Sequence, residues 1–283
     1  MILIADGGST KADWCLLDRE KEVLRVFSKG INPYYCTKNE ISDEIRQNLF
    51  YELKDFQLNT IYFYGAGCAS PEKKELIKKA LAENFKSKLI NVESDLLGAA
   101  IGLCGNNSGI VAILGTGSNS CFYNGEKIVE NISPLGYILG DEGSGAVLGR
   151  IFIGECLKNQ LTKGIKEKFL KKYNLDVPSV LHNVYKKPMP NRFLADFSFF
   201  IKENIDDKSV YNLVYNSFMC FFQKNLMQYD YKNHKIYFTG SIAFFFQDIL
   251  QTVANELNIN IETIEQTPMS GLIQYYSKHY NNK

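Results

Sequence analysis

The chain has 283 residues, 45% of them apolar, with 32 basic against 31 acidic side chains and a formal net charge of +1. That balance gives no global field toward nucleic acid or an anionic membrane, and no apolar run approaches the roughly 20 residues that span a bilayer. The length allows one large or two ordinary domains. The seven cysteines, an odd number without a CxxC, point to reduced and mostly buried thiols rather than a disulfide framework or a metal site.

Met1 leads straight into an apolar run with no basic n-region, so a cytoplasmic location is expected. Ile2 to Ala5 form a buried strand, Asp6-Gly7-Gly8-Ser9-Thr10-Lys11 a turn, and Trp14 to Leu17 the return strand of a hairpin. The glycines open backbone angles closed to other residues and let a ligand approach the amides. A carboxylate ahead of a turn lined with hydroxyls and a lysine suits a metal-bound polyphosphate. A tight hairpin with a polar tip is the plainer alternative.

Glu22 to Phe27 predicts a third strand, followed by the loop Ser28 to Pro33. Thr37-Lys38-Asn39-Glu40 is a capping box that opens a helix to about Leu53. A strand is expected over Thr60 to Tyr64, a helix from Pro71 to about Phe85, and a strand over Leu89 to Val92. Glu93-Ser94-Asp95 then leads into a helix ending near Cys104. In α/β sheets that end of the strands faces the ligand crevice. Asp95 could there accept a proton from a substrate hydroxyl, or Asp95 or Ser94 could simply cap the helix.

Residues 109–129 repeat the opening design. Ile110 to Leu114 are apolar, Gly115-Thr116-Gly117-Ser118-Asn119-Ser120 turn, and Cys121 to Tyr123 return to an Asn124-Gly125 hairpin signal. Ser118 lies 109 positions after Ser9, a spacing that suits a duplicated α/β domain better than a solenoid. Two such hairpins could clamp a nucleotide's phosphates from both sides. The segment Ser133 to Gly145 carries four glycines and the adjacent acids Asp141 and Glu142 just before a helix. Acids there can accept hydrogen bonds from the hydroxyls of a polyol, and four glycines exceed what a helix cap needs.

A mainly helical insertion is expected from about 143 to 229, with helices near 143–159, 162–172, 177–186, 191–203 and 207–229. The basic stretch Lys163 to Lys172 reads as the wet face of a helix rather than a nucleic-acid contact. A strand over Lys235 to Phe238 closes with Thr239-Gly240-Ser241, where a glycine lets a flat base lie on the backbone. After a helix and a strand over Ile259 to Ile264, Pro268-Met269-Ser270-Gly271 opens the last helix. His182, His234 and His279 are scattered without ligand spacing.

In order, the four segments Asp6–Lys11, Gly115–Asn119, Gly136–Ser144 and Thr239–Ser241 resemble the phosphate-1, phosphate-2, sugar-loop and adenosine motifs of N-acetylglucosamine kinases. These belong to the BadF/BadG/BcrA/BcrD-type ATPase family, within the actin, hexokinase and heat-shock-chaperone superfamily. The resemblance covers nearly the whole chain, and its most specific element is Gly140-Asp141-Glu142-Gly143-Ser144 after Gly115-Thr116-Gly117-Ser118-Asn119.

It implies duplicated ribonuclease-H-like (actin-like ATPase) α/β domains, residues 1–108 and 109–268, around a central cleft. The helical insertion would sit in the second domain, and the C-terminal helix 269–283 would pack back on the first. ATP and Mg²⁺ are the implied cofactors, with a sugar as the small-molecule partner, no nucleic acid or membrane, and a homodimer left open. Asp6 would hold the metal. Gly7, Gly8, Ser9, Thr10 and Lys11 with Gly115, Thr116, Gly117 and Ser118 would take the phosphates. Asp95 would accept the proton of the sugar 6-hydroxyl. Asn32, Asn119, Gly136 and Asp141 would bind the sugar, and Gly240 and Ser241 would lie near adenine.

One position departs from the pattern: Leu135 stands where the sugar kinases usually carry an aromatic ring. The same family includes activator ATPases of acyl-CoA dehydratases, which share an iron–sulfur cluster across a dimer, and Cys104 and Cys121 do not match their cysteine pattern. A nucleotide-dependent regulator is the third alternative.

Overall fold

The computed structural model describes residues 1–280 and divides into two compact units. Unit 1 holds residues 1–109, 123–129 and the chain from Thr267 onward; unit 2 holds Ile110–Phe122 and Glu130–Gln266.

Unit 1 begins with β1 (Ile2–Gly7), β2 (Lys11–Asp18) and β3 (Lys21–Lys29), followed by α1 (Lys38–Ile45). The expected capping box forms, with Thr37 and Glu40 satisfying each other's backbone amides. The helix expected to run unbroken to Leu53 instead widens into a π turn over Arg46–Phe50 before α2 (Tyr51–Leu53). The apolar stripe gives the reason. Ile41, Ile45, Leu49 and Leu53 are all buried at a spacing of four. An α-helix with 3.6 residues per turn would rotate such a stripe off the core, and a π turn winds it back. Then come β4 (Leu58–Gly65), α3 (Pro71–Asn84), β5 (Ser87–Ser94) and α4 (Asp95–Cys104).

The sheet order is β3-β2-β1-β4-β5. β1 pairs antiparallel with β2 and parallel with β4, which is parallel to β5. β1 is therefore central, and its Leu3 and Ala5 join Trp14, Ile61 and Phe63 in the core. The parallel register aligns Gly7 with Gly65 and Gly65 with Ser94. It therefore sets the first glycine turn and the start of α4 on one edge of the sheet, two strand spacings or roughly 10 Å apart.

Unit 2 follows the same plan: β6 (Gly109–Leu114), β7 (Ser118–Tyr123), β8 (Ile128–Ile132), later β9 (Ile236–Thr239) and β10 (Ile261–Glu265). Its order, β10-β9-β6-β7-β8, is the first sheet's order with each strand replaced by its duplicate. Before β9 come the short α5 (Gly136–Leu139), then α6 (Gly145–Leu157), α7 (Ile165–Tyr173), α8 (Val177–Tyr185), α9 (Pro190–Ala195), α10 (Ser198–Glu203) and α11 (Lys208–Lys224). The sequence predicts one helix over 191–203, and the chain makes two. Gly149 explains the break, because a Cβ there would lie 1.9 Å from the Leu194 carbonyl oxygen. α9 is drawn onto α6 at that contact, and Phe197 and Phe200 then turn into an aromatic core with Phe152 and Phe169. The expected helix 207–229 likewise ends at Lys224, with a 3₁₀ turn over Leu226–Gln228.

After β9 come α12 (Ser241–Phe245) and α13 (Gln247–Glu256), and the chain ends in α14 (Met269–Tyr280), which returns to unit 1. Residues 281–283 of the expected helix 269–283 lie outside the described residues. Gly102 and Gly271 let α14 and α4 touch backbone to backbone: a Cβ on Gly271 would lie 1.7 Å from the Gly102 carbonyl oxygen. The Tyr62 and Tyr276 rings stack at 4.1 Å, and the Tyr64 and Tyr276 hydroxyls are hydrogen bonded. All seven cysteines are free, five of them buried. Burial pushes the Cys15, Cys68 and Cys104 thiols up to about 12, which keeps them protonated and unreactive. Among the described residues no helix is long and apolar enough to cross a membrane.

Candidate functional site

In unit 1 the first turn is held by the loop that follows β3. The Gly30 amide donates to the Thr10 carbonyl at 2.8 Å. A Cβ on Gly30 would lie 2.3 Å from the Ser9 carbonyl carbon, so only glycine allows this approach. Two residues on, Asn32 Nδ2 donates to Ser9 Oγ at 3.1 Å, and Asn32 Oδ1 accepts from the Tyr34 amide at 3.0 Å. Lys11 heads β2, and its ammonium lies 3.5 Å over the Phe27 ring.

Three carboxylates gather near this turn. Asp6 is the penultimate residue of β1 and Asp13 faces it across the β1–β2 ladder. Asp95 is the first residue of α4. Arg25 clasps Asp13 through two hydrogen bonds, Nε to Oδ1 at 3.0 Å and Nη2 to Oδ2 at 2.6 Å. Among the described residues Asp6 has no such clasp, and Arg25 pulls its carboxyl down less than Thr267 does. Burial, with repulsion from Asp95 and Asp13, pushes its carboxyl up to about 7 against the pull of a Thr267 hydrogen bond. Burial also raises Asp95 to about 6, opposed by the Leu96 amide, which donates to Asp95 Oδ1 at 2.9 Å. Of the two capping candidates, Ser94 is the cap: its hydroxyl accepts from the Leu97 amide. Oxygen donors in mutual repulsion suit a hard divalent cation, which binds through one or two carboxylates and keeps several waters. Among the described residues no group of three or more His, Cys, Asp or Glu could hold a metal by itself.

In unit 2 the second turn rests on the start of α6. The Gly145 and Ala146 amides donate to the Gly115 and Thr116 carbonyls at 2.8 and 3.0 Å. Asp141 lies beside the same turn and accepts from the Ser118 amide, and burial raises its carboxyl to about 6. A Cβ on Gly117 would lie 3.0 Å from Asp141 Oδ2. Glu142, its neighbour, faces elsewhere and pairs with Lys224 at 3.1 Å. Gly240 abuts Leu114 with φ at +110°, next to a Thr239 hydroxyl that is buried without a hydrogen-bond partner. The fold thus gathers Gly115–Ser118, Asp141 and Gly240 at one end of the second sheet, with Ser241 opening α12 beside them. Asn119 is engaged along β7, its Oδ1 accepting from the Ser120 amide and from Asn131 Nδ2, both at 2.9 Å. Gly136 lies in the loop that the Asp141 amide closes on the Pro134 carbonyl at 2.8 Å, and it faces open space: a Cβ there would meet nothing within 4 Å. Its neighbours Leu135, Ile138 and Leu139 are 62%, 70% and 75% exposed.

The pattern of the sequence missed Thr267 and the Arg25–Asp13 pair. Asp13 carried a signal, being an acid inside the apolar run Ala12 to Leu17, and a buried acid needs a partner. Thr267 carried none.

A glycine turn behind a central strand, repeated on a second sheet of the same strand order, defines the duplicated ribonuclease-H-like fold of actin-like ATPases. No protein-family model and no curated protein sequence matches the chain. Among solved structures, a candidate N-acetylglucosamine kinase from Porphyromonas gingivalis is 45% identical, with 99% of this chain and 100% of that one covered and a TM-score of 0.95. A second candidate N-acetylglucosamine kinase, from Chromobacterium violaceum, is 13% identical over 97% and 98%, with a TM-score of 0.75. A ROK family glucokinase from Streptomyces griseus, in complex with glucose and AMPPNP, is 13% identical over 96% and 97%, with a TM-score of 0.59; these two likenesses are of fold. The chain belongs to the N-acetylglucosamine kinase-like group of the BadF/BadG/BcrA/BcrD-type ATPase family.

Proposed function

We propose that the protein is a cytoplasmic, ATP-dependent kinase that phosphorylates the 6-hydroxyl of an amino sugar, N-acetylglucosamine first. The observation that carries this reading is Asp95, a recessed carboxyl at a strand–helix junction, raised to about 6 and on the same sheet edge as the first glycine turn. A general base works best with a pKa near the operating pH. Phosphoryl transfer asks mainly for positioning and charge stabilisation.

In this proposal Asp95 takes the hydroxyl proton as the sugar oxygen bonds to the γ-phosphorus and the bond from that phosphorus to the bridging oxygen breaks, releasing ADP. Asp6 would hold Mg²⁺, which when bound would supply positive charge against the phosphates. Gly7, Gly8, Ser9 and Thr10, with Gly115, Thr116, Gly117 and Ser118, supply phosphate donors. The Lys11 side chain would have to leave Phe27 to join them. Asn32, Asn119, Gly136 and Asp141 hold the sugar, and Gly240 and Ser241 hold the adenosine. The relative at 45% identity supports N-acetylglucosamine as the first substrate to try. Leu135, Ile138 and Leu139 leave an exposed apolar stretch that a second copy of the chain would cover in a homodimer, and a molar mass from light scattering checks it.

An ADP-release assay over hexoses and amino sugars tests the reading. Asp95→Asn is expected to keep ATP binding and lose turnover by about 10²–10⁴-fold. Normal turnover in that variant would overturn it.

A further inference from the structure

Asp141 and Glu142 are neighbours in the chain but reach different partners within unit 2. Asp141 accepts from the Ser118 amide of the second turn. Glu142 turns to the end of α11, where Lys224 Nζ lies 3.1 Å from Oε1 and Asn225 Nδ2 donates to Oε2 at 3.4 Å. One residue on, the Gly143 amide donates to Ser217 Oγ at 3.2 Å, and a Cβ on Gly143 would lie 3.1 Å from Phe221 Cβ. Ser217, Phe221 and Lys224 belong to α11, and Asn225 caps it. Spacings of four, seven and eight place these four residues on one helix face. The helical insertion thus grips Glu142 and Gly143 with a single stripe.

We propose that this stripe positions Asp141 for the sugar: the Glu142–Lys224 ion pair, backed by Asn225, holds the Asp141 backbone in its binding shape. Lys224 and Asn225 are then positioning residues, acting through Glu142, and the role rests on the reading of Asp141 as a sugar-binding residue. Asp141 needs such holding. Its φ is +52°, a left-handed angle that L-residues adopt at a cost. The charge of Glu142 also repels its carboxylate. Two backbone hydrogen bonds set the path of the chain here, from the Asp141 amide to the Pro134 carbonyl at 2.8 Å and from the Ser144 amide to the Asp141 carbonyl at 3.1 Å. The Glu142 clasp adds a charged anchor to them. Released from α11, the loop can relax from the left-handed angle and carry the Asp141 carboxylate off the Ser118 amide. Sugar binding must then restore the loop, so affinity falls, while the complex once formed reacts as before.

The size of the effect follows from exposure. The Glu142 side chain is 18% exposed and that of Lys224 63%, so the pair acts as a surface ion pair. N-acetylglucosamine is uncharged, and salt has no direct hold on its binding. Salt does reach the pair, so it becomes a probe of the clasp.

The test is calorimetric titration with N-acetylglucosamine in the absence of nucleotide. Lys224→Met keeps the stem and removes the charge; at low salt it is expected to weaken sugar binding about 1.5- to fivefold, the range of a surface pair. In turnover the same variant should raise KM for the sugar and leave kcat near wild type. Lys224→Arg should bind as wild type does. Raising salt from about 0.01 M to about 1 M shortens the screening length from about 30 Å to about 3 Å. Wild-type affinity should then fall to that of Lys224→Met, whose own affinity should hold steady. A lysine that only stabilised α11 would lower the unfolding temperature of Lys224→Met without giving wild type this salt dependence. Glu142→Lys and Lys224→Glu should each lose affinity, and their combination should recover it. Equal affinity of wild type and Lys224→Met at low salt, in proteins that both phosphorylate the sugar, overturns the proposal and leaves the kinase reading standing. Absence of sugar binding and of sugar-dependent ADP release across the whole panel removes the kinase reading, and the role of Lys224 with it.

Discussion

Gly240 and Leu114 approach so closely that a Cβ on Gly240 would sit 2.3 Å from the Leu114 carbonyl oxygen. The backbone there also has φ at +110°, a region that side chains rarely enter. The glycine therefore serves two needs, close packing of β9's exit on β6 and an unusual backbone angle. Gly240→Ala is expected to destabilise the protein by about 1–3 kcal/mol. Urea unfolding checks the stability, and a fall in AMPPNP affinity out of proportion to the lost stability would tie Gly240 to the adenosine.

Asp95 makes a prediction about pH. Its carboxyl is raised to about 6 by burial. A base must be ionised to accept a proton, so with Mg²⁺ saturating and Asp6 thereby held ionised, activity should be full above that pH and fall below it. The expected profile of kcat/KM drops about tenfold per pH unit on the acid side, as for a single essential base. Replacing Asp95 by Glu should shift the midpoint, whereas a profile set by Asp141 would not move.

The hairpins were legible because their signals are local. Apolar runs ending in Asp6-Gly7-Gly8 and Leu114-Gly115-Thr116-Gly117 announce a strand and a turn whatever surrounds them, and the duplicated strand order follows from the repeat. The π turn at Arg46–Phe50 departs from the unbroken helix expected to about Leu53; which of the apolar residues at a spacing of four would be buried came only with the fold. Other features depend on contacts between distant residues. Gly149 against Leu194, Gly102 against Gly271 and Thr267 beside Asp6 have no local signature. The motif of adjacent acids gave no hint that Asp141 would face the second turn while Glu142 turned to Lys224. That separation comes from the backbone at Asp141, whose φ is +52°.

Asp6 carries a cost in stability. Its carboxyl rises to about 7 in the folded chain, against an ordinary value of 3.8. A raised carboxyl binds its proton more tightly when folded. Its contribution is fully present at pH below the unfolded value and is lost as pH climbs to about 7. At pH 8 the ionised group, repelled by Asp95 and Asp13, opposes folding. Asp6→Asn should therefore stabilise the ligand-free protein at pH 8, by something of the order of 1–3 kcal/mol. The gain should vanish below about pH 4. The same variant should lose Mg²⁺-dependent tightening of ATP. Paired melting curves at pH 8 and pH 4 decide the first point, and equal stability of variant and wild type at both would refute it.

Two glycines in helices should respond to alanine in opposite ways. Gly271 of α14 meets Gly102 of α4 so closely that a Cβ would lie 1.7 Å from a carbonyl oxygen. That oxygen belongs to helix backbone and cannot step aside alone. Gly271→Ala must push α14 away and disturb the stacking of Tyr276 on Tyr62. A loss of at least about 1–3 kcal/mol is expected, as for overpacking in a well-filled interior. Gly154 lies inside α6, where a Cβ would meet nothing within 4 Å. Gly154→Ala should stabilise by about 0.5–1 kcal/mol, because alanine loses less chain entropy in a helix. Urea unfolding of both variants, with near-ultraviolet circular dichroism to follow the tyrosines, separates the effects. If Gly271→Ala unfolds at the wild-type midpoint, the backbone contact between α4 and α14 does not hold unit 1 together.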